Sequence, residues 1–250
     1  METDLNFDRI VYFGDSLTDG GGFFAASSAV ALFGIPPTAA GYAEQFSNGP
    51  VYAELTPGLI GVEGGEELNF AIGGAQALTD RSVEDLLTGS GLIRGDAAPE
   101  DLAFRVDFKG QVARFLADPS SSGDLSATAV SIFIGLNDFD DFAPTSAETA
   151  VDEVIAFGAA IATAALTDAA TLAAAGAGTF ILHTLPDVSV FPGTQNDTPD
   201  LQALGQIAAE ANNATLRAGA AQLEAAGAEV VFVDTAAIYG AVERDFESFG

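Results

Sequence analysis

The 250-residue chain has no cysteine and no tryptophan, and it has a single histidine, His183. The absence of cysteine excludes disulfides, thiolate metal sites and a cysteine nucleophile together. It fits export and a salt-filled cytosol equally well. Cations are almost as scarce: Lys109 is the one lysine, and Lys plus Arg number 8 against 36 Asp plus Glu, a net charge of −28. So negative a chain repels phosphate backbones and anionic headgroups, which makes nucleic acid and acidic membranes poor partners. Yet charged residues are only 18% of the chain, and the mean hydropathy is +0.30, which excludes a disordered acidic tail. No run of about 18 uninterrupted apolar residues occurs, so no transmembrane segment is expected. The N-terminal METDLNFDRI lacks the basic start and apolar stretch of a secretory signal. Either the protein stays inside, or a signal was trimmed before this numbering, or export is directed from elsewhere. The expectation is a secreted or periplasmic protein, with the cytoplasm of a salt-adapted cell as the other setting.

Five segments read as strands: Arg9–Gly14, Glu67–Ile72, Ala129–Ile134, Thr179–Leu185 and Ala228–Asp234. Continuous apolar runs suit strands buried on both faces, as in a parallel sheet. Between them lie helical patterns. The clearest runs from about Ala147 to Ala175, with Val151, Val154, Ile155, Ile161 and Leu172 at helical spacing. Thr145 and Glu148 have capping-box spacing before it, and Gly176 stops it. A second starts at Thr198-Pro199 and ends near Gly227, and a shorter one spans Gly110 to Ala117. Strands alternating with helices give an α/β class with a five-stranded parallel sheet. Gly20 to Gly65 reads as an elaborated surface loop with short helices, and residues 1–250 as a single domain.

Ligands of open parallel sheets bind beyond the carboxyl ends of the strands. Three strand-like segments are followed by Gly14-Asp15-Ser16-Leu17-Thr18-Asp19-Gly20, by Gly73-Gly74-Ala75, and by Gly135-Leu136-Asn137-Asp138. A serine on a tight turn presents its hydroxyl to a carbonyl. Glycine lets a backbone N–H point at a developing oxyanion, and an asparagine amide adds a neutral donor.

These blocks resemble those of the GDSL, or SGNH, esterases and lipases: Phe13 to Gly20 the first block, Asn69-Phe-Ala-Ile-Gly-Gly-Ala75 the second, and Gly135-Leu-Asn-Asp138 the third. Phe46-Ser-Asn-Gly-Pro-Val51 and Leu185-Pro-Asp187 are similar to segments of the lipase-like branch. The resemblance runs from Arg9 to Gly250. It implies a flavodoxin-like three-layer α/β/α sandwich and hydrolysis of carboxylic esters (lipid, aryl or acetyl). It also implies that Ser16 is the nucleophile, with an oxyanion hole from the Ser16 and Gly74 N–H groups and the Asn137 side chain. Adjacent Gly73 leaves the glycine open by one residue. The resemblance calls for no cofactor and no metal.

One block of that family is absent. No Asp-x-x-His occurs, and His183 lies inside the fourth strand-like run, upstream of Leu185-Pro186. The domain is therefore expected to be incomplete at its C-terminus, with a further segment supplying Asp and His. Asp15 and Asp138 are expected to brace their own loops, and His183 to be a core or rim residue. The cluster Asp138, Asp140 and Asp141 reads as a solvated acidic loop in preference to a calcium site. Asn196 and Asn213 open sequons on paper. Phe23, Phe24, Phe33 and Phe46 are equally core or a wall for an acyl chain. Competing with the lipase or esterase reading are a polysaccharide O-acetyl esterase and a non-catalytic SGNH-fold binding domain.

Overall fold

A computed structural model of the chain describes residues 6–142, 150–191 and 198–248. In chain order the elements are β1 (Arg9–Gly14), α1 (Gly22–Val30), α2 (Tyr52–Ile60), α3 (Val83–Leu87), α4 (Pro99–Leu102), α5 (Phe108–Ala117), β2 (Thr128–Phe133), α6 (Ala150–Ala174), β3 (Thr179–His183), α7 (Pro199–Ala225), β4 (Glu229–Val233) and α8 (Thr235–Arg244), with short 3-10 turns between. The strands form one parallel sheet in the order β1-β2-β3-β4.

The register puts Tyr12, Ser131, Ile181 and Val231 side by side, and Phe13, Ile132, Leu182 and Phe232 on the next row. Because side chains alternate along a strand, these rows point to opposite faces. The second row joins Val11, Val130 and Phe180 in the main core, against Phe108, Val112 and Phe115 of α5, Ala165 and Leu172 of α6, and Leu216 and Leu223 of α7. The first row joins Ile10 and Ala129 against Ala53 and Tyr52 of α2. Both faces of β1 and β2 are therefore covered, which is why their apolar runs are continuous. β4 closes one edge, with Val231 41% exposed.

The sheet has four strands, not five. Residues 67–72 do run beside β1: Phe70 N–H donates to Tyr12 O and Ile72 N–H to Gly14 O. Side chains interrupt the rest of the ladder. The Asn69 amide oxygen takes the Ala71 N–H, Arg114 donates to Phe70 O, and the Gln111 side chain bonds both the N–H and the carbonyl of Gly14. Only one isolated bridge, Tyr12 to Asn69, is left of that pairing.

The three helices located from the sequence pattern correspond to α5, α6 and α7, while α3, α4 and α8 were not anticipated. α7 is capped by the Thr198 hydroxyl, which accepts the Leu201 N–H, and carries Pro199 in its first turn. The start expected for α6 at Thr145 and Glu148 lies outside the described residues, as does Asn196. By length and composition α6 could cross a membrane, something a search for uninterrupted apolar runs does not register. Val154, Ile161, Ala162, Ala169 and Leu172 on it belong to the interior of the fold, while Val151 and Ile155 are exposed. Phe23 and Phe46 stack on each other in a smaller core with Ile72 and Val83, so these two rings are packing residues.

Candidate functional site

β1 delivers the chain to Gly14, where any side chain would collide with the Phe133 carbonyl and come within 2.8 Å of Thr18 Oγ1. Glycine here allows an immediate tight turn. Thr18 and Asp19 N–H both return to Asp15 O, at 3.0 and 2.9 Å. Ser16 stands on that turn, half-buried.

Asp19 joins this loop to the next. Its buried carboxylate accepts the N–H groups of Gly21 (2.8 Å), Gly22 (2.5 Å) and Phe23 (3.1 Å), and of Gly73 at 2.7 Å. Gly73 N–H is thereby occupied. Gly74, at φ +79° in the left-handed region, has an N–H with no acceptor among the described residues, and so does Ser16. That distinguishes the two glycines.

Beyond β2, Asn137 opens a 3-10 turn over residues 137–141. Its Nδ2 donates to Ala75 O at 2.9 Å, and its own carbonyl accepts from Gln76 Nε2 at 2.8 Å. The Gln76 amide also donates to Asp141, which pairs with Arg81 at 3.3 Å. Asp138 braces a different loop from its own: its two oxygens accept the N–H groups of Ala77 and Leu78 at 2.9 and 2.8 Å. Asp138 and Asp141 are thus engaged with protein partners. Among the described residues no group of three or more His, Cys, Asp or Glu is arranged to hold a metal ion. Hydrogen bonds therefore connect all three loops, Ser16's to Gly74's through Asp19 and Gly74's to Asn137's through Ala75 and Gln76.

Burial raises the pKa of four carboxyls here, those of Asp15, Asp19, Asp138 and Asp140. Burial pushes Asp15 up to about 7, against the opposing Leu17 N–H bond and with help from the charges of Asp138 and Asp19. One oxygen of Asp15 takes the Leu17 N–H at 3.1 Å, and the other is buried with no partner. Burial also raises Asp138 to about 6, partly offset by the bonds from Ala77 and Leu78.

His183 lies below the site. It ends β3, 9% exposed, with its ring stacked on Phe133 and tilted against Tyr52. Nε2 is 3.1 Å from Ser131 Oγ and Nδ1 is 3.4 Å from Thr235 Oγ1. Burial lowers its pKa to about 4, so the ring is neutral at ordinary pH. Tyr52 extends this polar row to the Ser16 loop through Thr18, 3.3 Å away. Asn213 is occupied as well, bonding both the N–H and the carbonyl of Leu185.

Asp19, Asn69, Gln76 and Gln111 were not singled out from sequence. Asp19 had a visible signal, an acid just before a helix start. The two glutamines are fully buried, and only an amide inside an otherwise apolar stretch hints at them.

A family model described as GDSL-like lipase/acylhydrolase matches residues 10–248. A search of the curated proteins returns no match. With nearly the whole chain covered, it belongs to the GDSL-like lipase/acylhydrolase family, whose description points to ester hydrolysis.

Proposed function

We propose that this domain is a serine carboxylester hydrolase built on a flavodoxin-like α/β/α sandwich, with residues 67–72 standing where the fifth strand would be. Ser16 Oγ attacks the ester carbonyl, and its proton passes to a general base. The tetrahedral oxyanion is held by the N–H groups of Ser16 and Gly74 and by Asn137 Nδ2. Collapse expels the alcohol, which takes the proton from the base, and water then hydrolyses the acyl-enzyme on Ser16. The observation that carries the reading is the pattern of unoccupied donors. Gly73 N–H is bound to Asp19, while Ser16 and Gly74 N–H have no acceptor among the described residues.

No base is assigned among the described residues. His183 is enclosed by Phe133, Tyr52, Ser131 and Thr235. The test is hydrolysis of short- and long-chain p-nitrophenyl esters by the full-length polypeptide that carries this chain, alongside its Ser16→Ala variant. The proposal expects turnover that falls by several orders of magnitude in the variant. Equal turnover by both proteins would contradict it. Complete absence of turnover and of serine labelling would favour a non-catalytic binding domain, the reading kept open by the enclosure of His183.

A further inference from the structure

A cavity of about 610 Å³ opens beside the Ser16 loop, and its lining includes none of Ser16, Gly74 or Asn137. That volume is in the range of sites for small organic ligands, about 300–1,000 Å³. Its floor is bare backbone at Gly20, Gly21 and Gly22. A side chain on Gly20 would enter the cavity against Asn69 Nδ2 at 3.3 Å and Gln45 Oε1 at 4.0 Å.

Gln45 is only 6% exposed. Its Nε2 is bound to Gly49 O, but Oε1, aimed over Gly20, has no hydrogen-bond partner among the described residues. The preceding residue, Glu44, is the one non-glycine described residue with positive φ, +66°. Backbone held in that region away from glycine marks a segment fixed by its surroundings.

The lining also restricts the ligand's charge. No Lys or Arg lines the cavity. The N–H groups at the start of α1, which would otherwise attract an anion, are taken by Asp19. Anionic ligands are therefore disfavoured. Glu44 and Glu54 stand exposed, whereas the buried polar side chain, Gln45, is a neutral amide, and the Asn69 amide is spent on Thr18 O and Ala71 N–H. The Glu54 carboxylate is itself occupied by Val51 N–H at 2.7 Å. Phe24 supplies an apolar wall. One free neutral acceptor, Gln45 Oε1, one aromatic wall and a lining without cations fit a compact molecule with many hydroxyls and an apolar C–H face.

We propose that this cavity is a saccharide-binding site in which Gln45 Oε1 accepts a sugar hydroxyl and the Phe24 ring lies against the sugar's C–H face. The site does not depend on the ester-hydrolase reading, because binding is read without turnover. The test is ligand-observed NMR and titration calorimetry with xylotriose and maltotriose as neutral probes, and with glucosamine and glucuronate as cationic and anionic controls. Saturable binding of at least one neutral trisaccharide is expected, tighter than of either control. Gly20→Leu, which fills the cavity, should abolish it, and Phe24→Ala should weaken it about tenfold or more, equivalent to about 1.4 kcal/mol. Thermal melting identifies which variants are folded; if Gly20→Leu does not fold, Phe24→Ala decides. Failure of both trisaccharides to bind, tighter binding of a charged control, or full binding by a folded variant would overturn the proposal.

Discussion

The Asp19 carboxylate accepts the Gly73 N–H at 2.7 Å, and this bond fastens the loop that carries Ser16 to the loop that carries Gly74. Three further N–H groups, at Gly21, Gly22 and Phe23, share the same side chain. Burial raises the Asp19 pKa, and the bond from Gly73 is the largest of those opposing it. The carboxylate is thus the hub of the local backbone.

Asp19→Ala is expected to leave four N–H groups without this acceptor and to lower stability by on the order of 3 kcal/mol. In the full-length polypeptide it should also slow acylation of Ser16, because Gly74 follows the freed Gly73. Urea unfolding and the rate of serine labelling measure the two effects. An unchanged midpoint and an unchanged labelling rate would count against this role.

The pH dependence of stability follows from Asp15. Its folded pKa, about 7, lies above the ordinary 3.8, so the native state holds the proton where the unfolded chain releases it. Stability from this group is full below about pH 4 and is lost as pH rises through about 7. A shift of three units at about 1.4 kcal/mol each gives on the order of 4 kcal/mol. Asp15→Asn, which cannot ionise, should flatten the stability profile between pH 4 and 7. Parallel profiles for the two proteins, measured by denaturant unfolding, would refute the assignment.

His183 acts in the opposite sense. With its folded pKa depressed to about 4 from 6.5, its contribution is full above about pH 6.5 and is lost as pH falls through about 4. His183→Gln keeps a polar side chain near Ser131 and should remove that acid-sensitive component. It should leave most ester hydrolysis in the full-length polypeptide. A loss of several orders of magnitude with an unchanged circular dichroism spectrum would make His183 the base.

Much of this arrangement could be read in the sequence, and the exceptions have a common physical origin. β1, β2 and the long helices α6 and α7 are set by local apolar periodicity and by local stops such as Gly14, Gly176 and Gly227. The three loops are recognisable because glycine, serine and asparagine sit immediately after apolar runs. Residues 67–72 have a strand's composition, but Arg114 and Gln111, some 40 residues downstream, take backbone groups their ladder would need. Likewise Asp138 looks local in sequence, yet its partners are Ala77 and Leu78, about 60 residues earlier. Partners that distant leave no mark in a local pattern. The Gln45 cavity is hidden for the same reason, since Gly20, Gln45 and Asn69 meet only in the folded chain.

Charge gives a further expectation. With 36 carboxylates against 8 cations, self-repulsion opposes the compact state at low ionic strength. The Debye length falls from about 30 Å at 0.01 M to about 3 Å at 1 M salt. The melting temperature should therefore rise with NaCl and equally with a choline salt of the same anion. A flat series would show that the charges are too dispersed to matter.

The central claim is that Ser16 is the acylated residue, and a fluorophosphonate, which traps a serine nucleophile covalently, tests it most directly. The full-length polypeptide is treated with the probe, digested and mapped by mass spectrometry. The account predicts one adduct, on the peptide carrying Gly14-Asp15-Ser16, located at Ser16 and absent from Ser16→Ala. An adduct on any other serine, or labelling that persists in the variant, would contradict it.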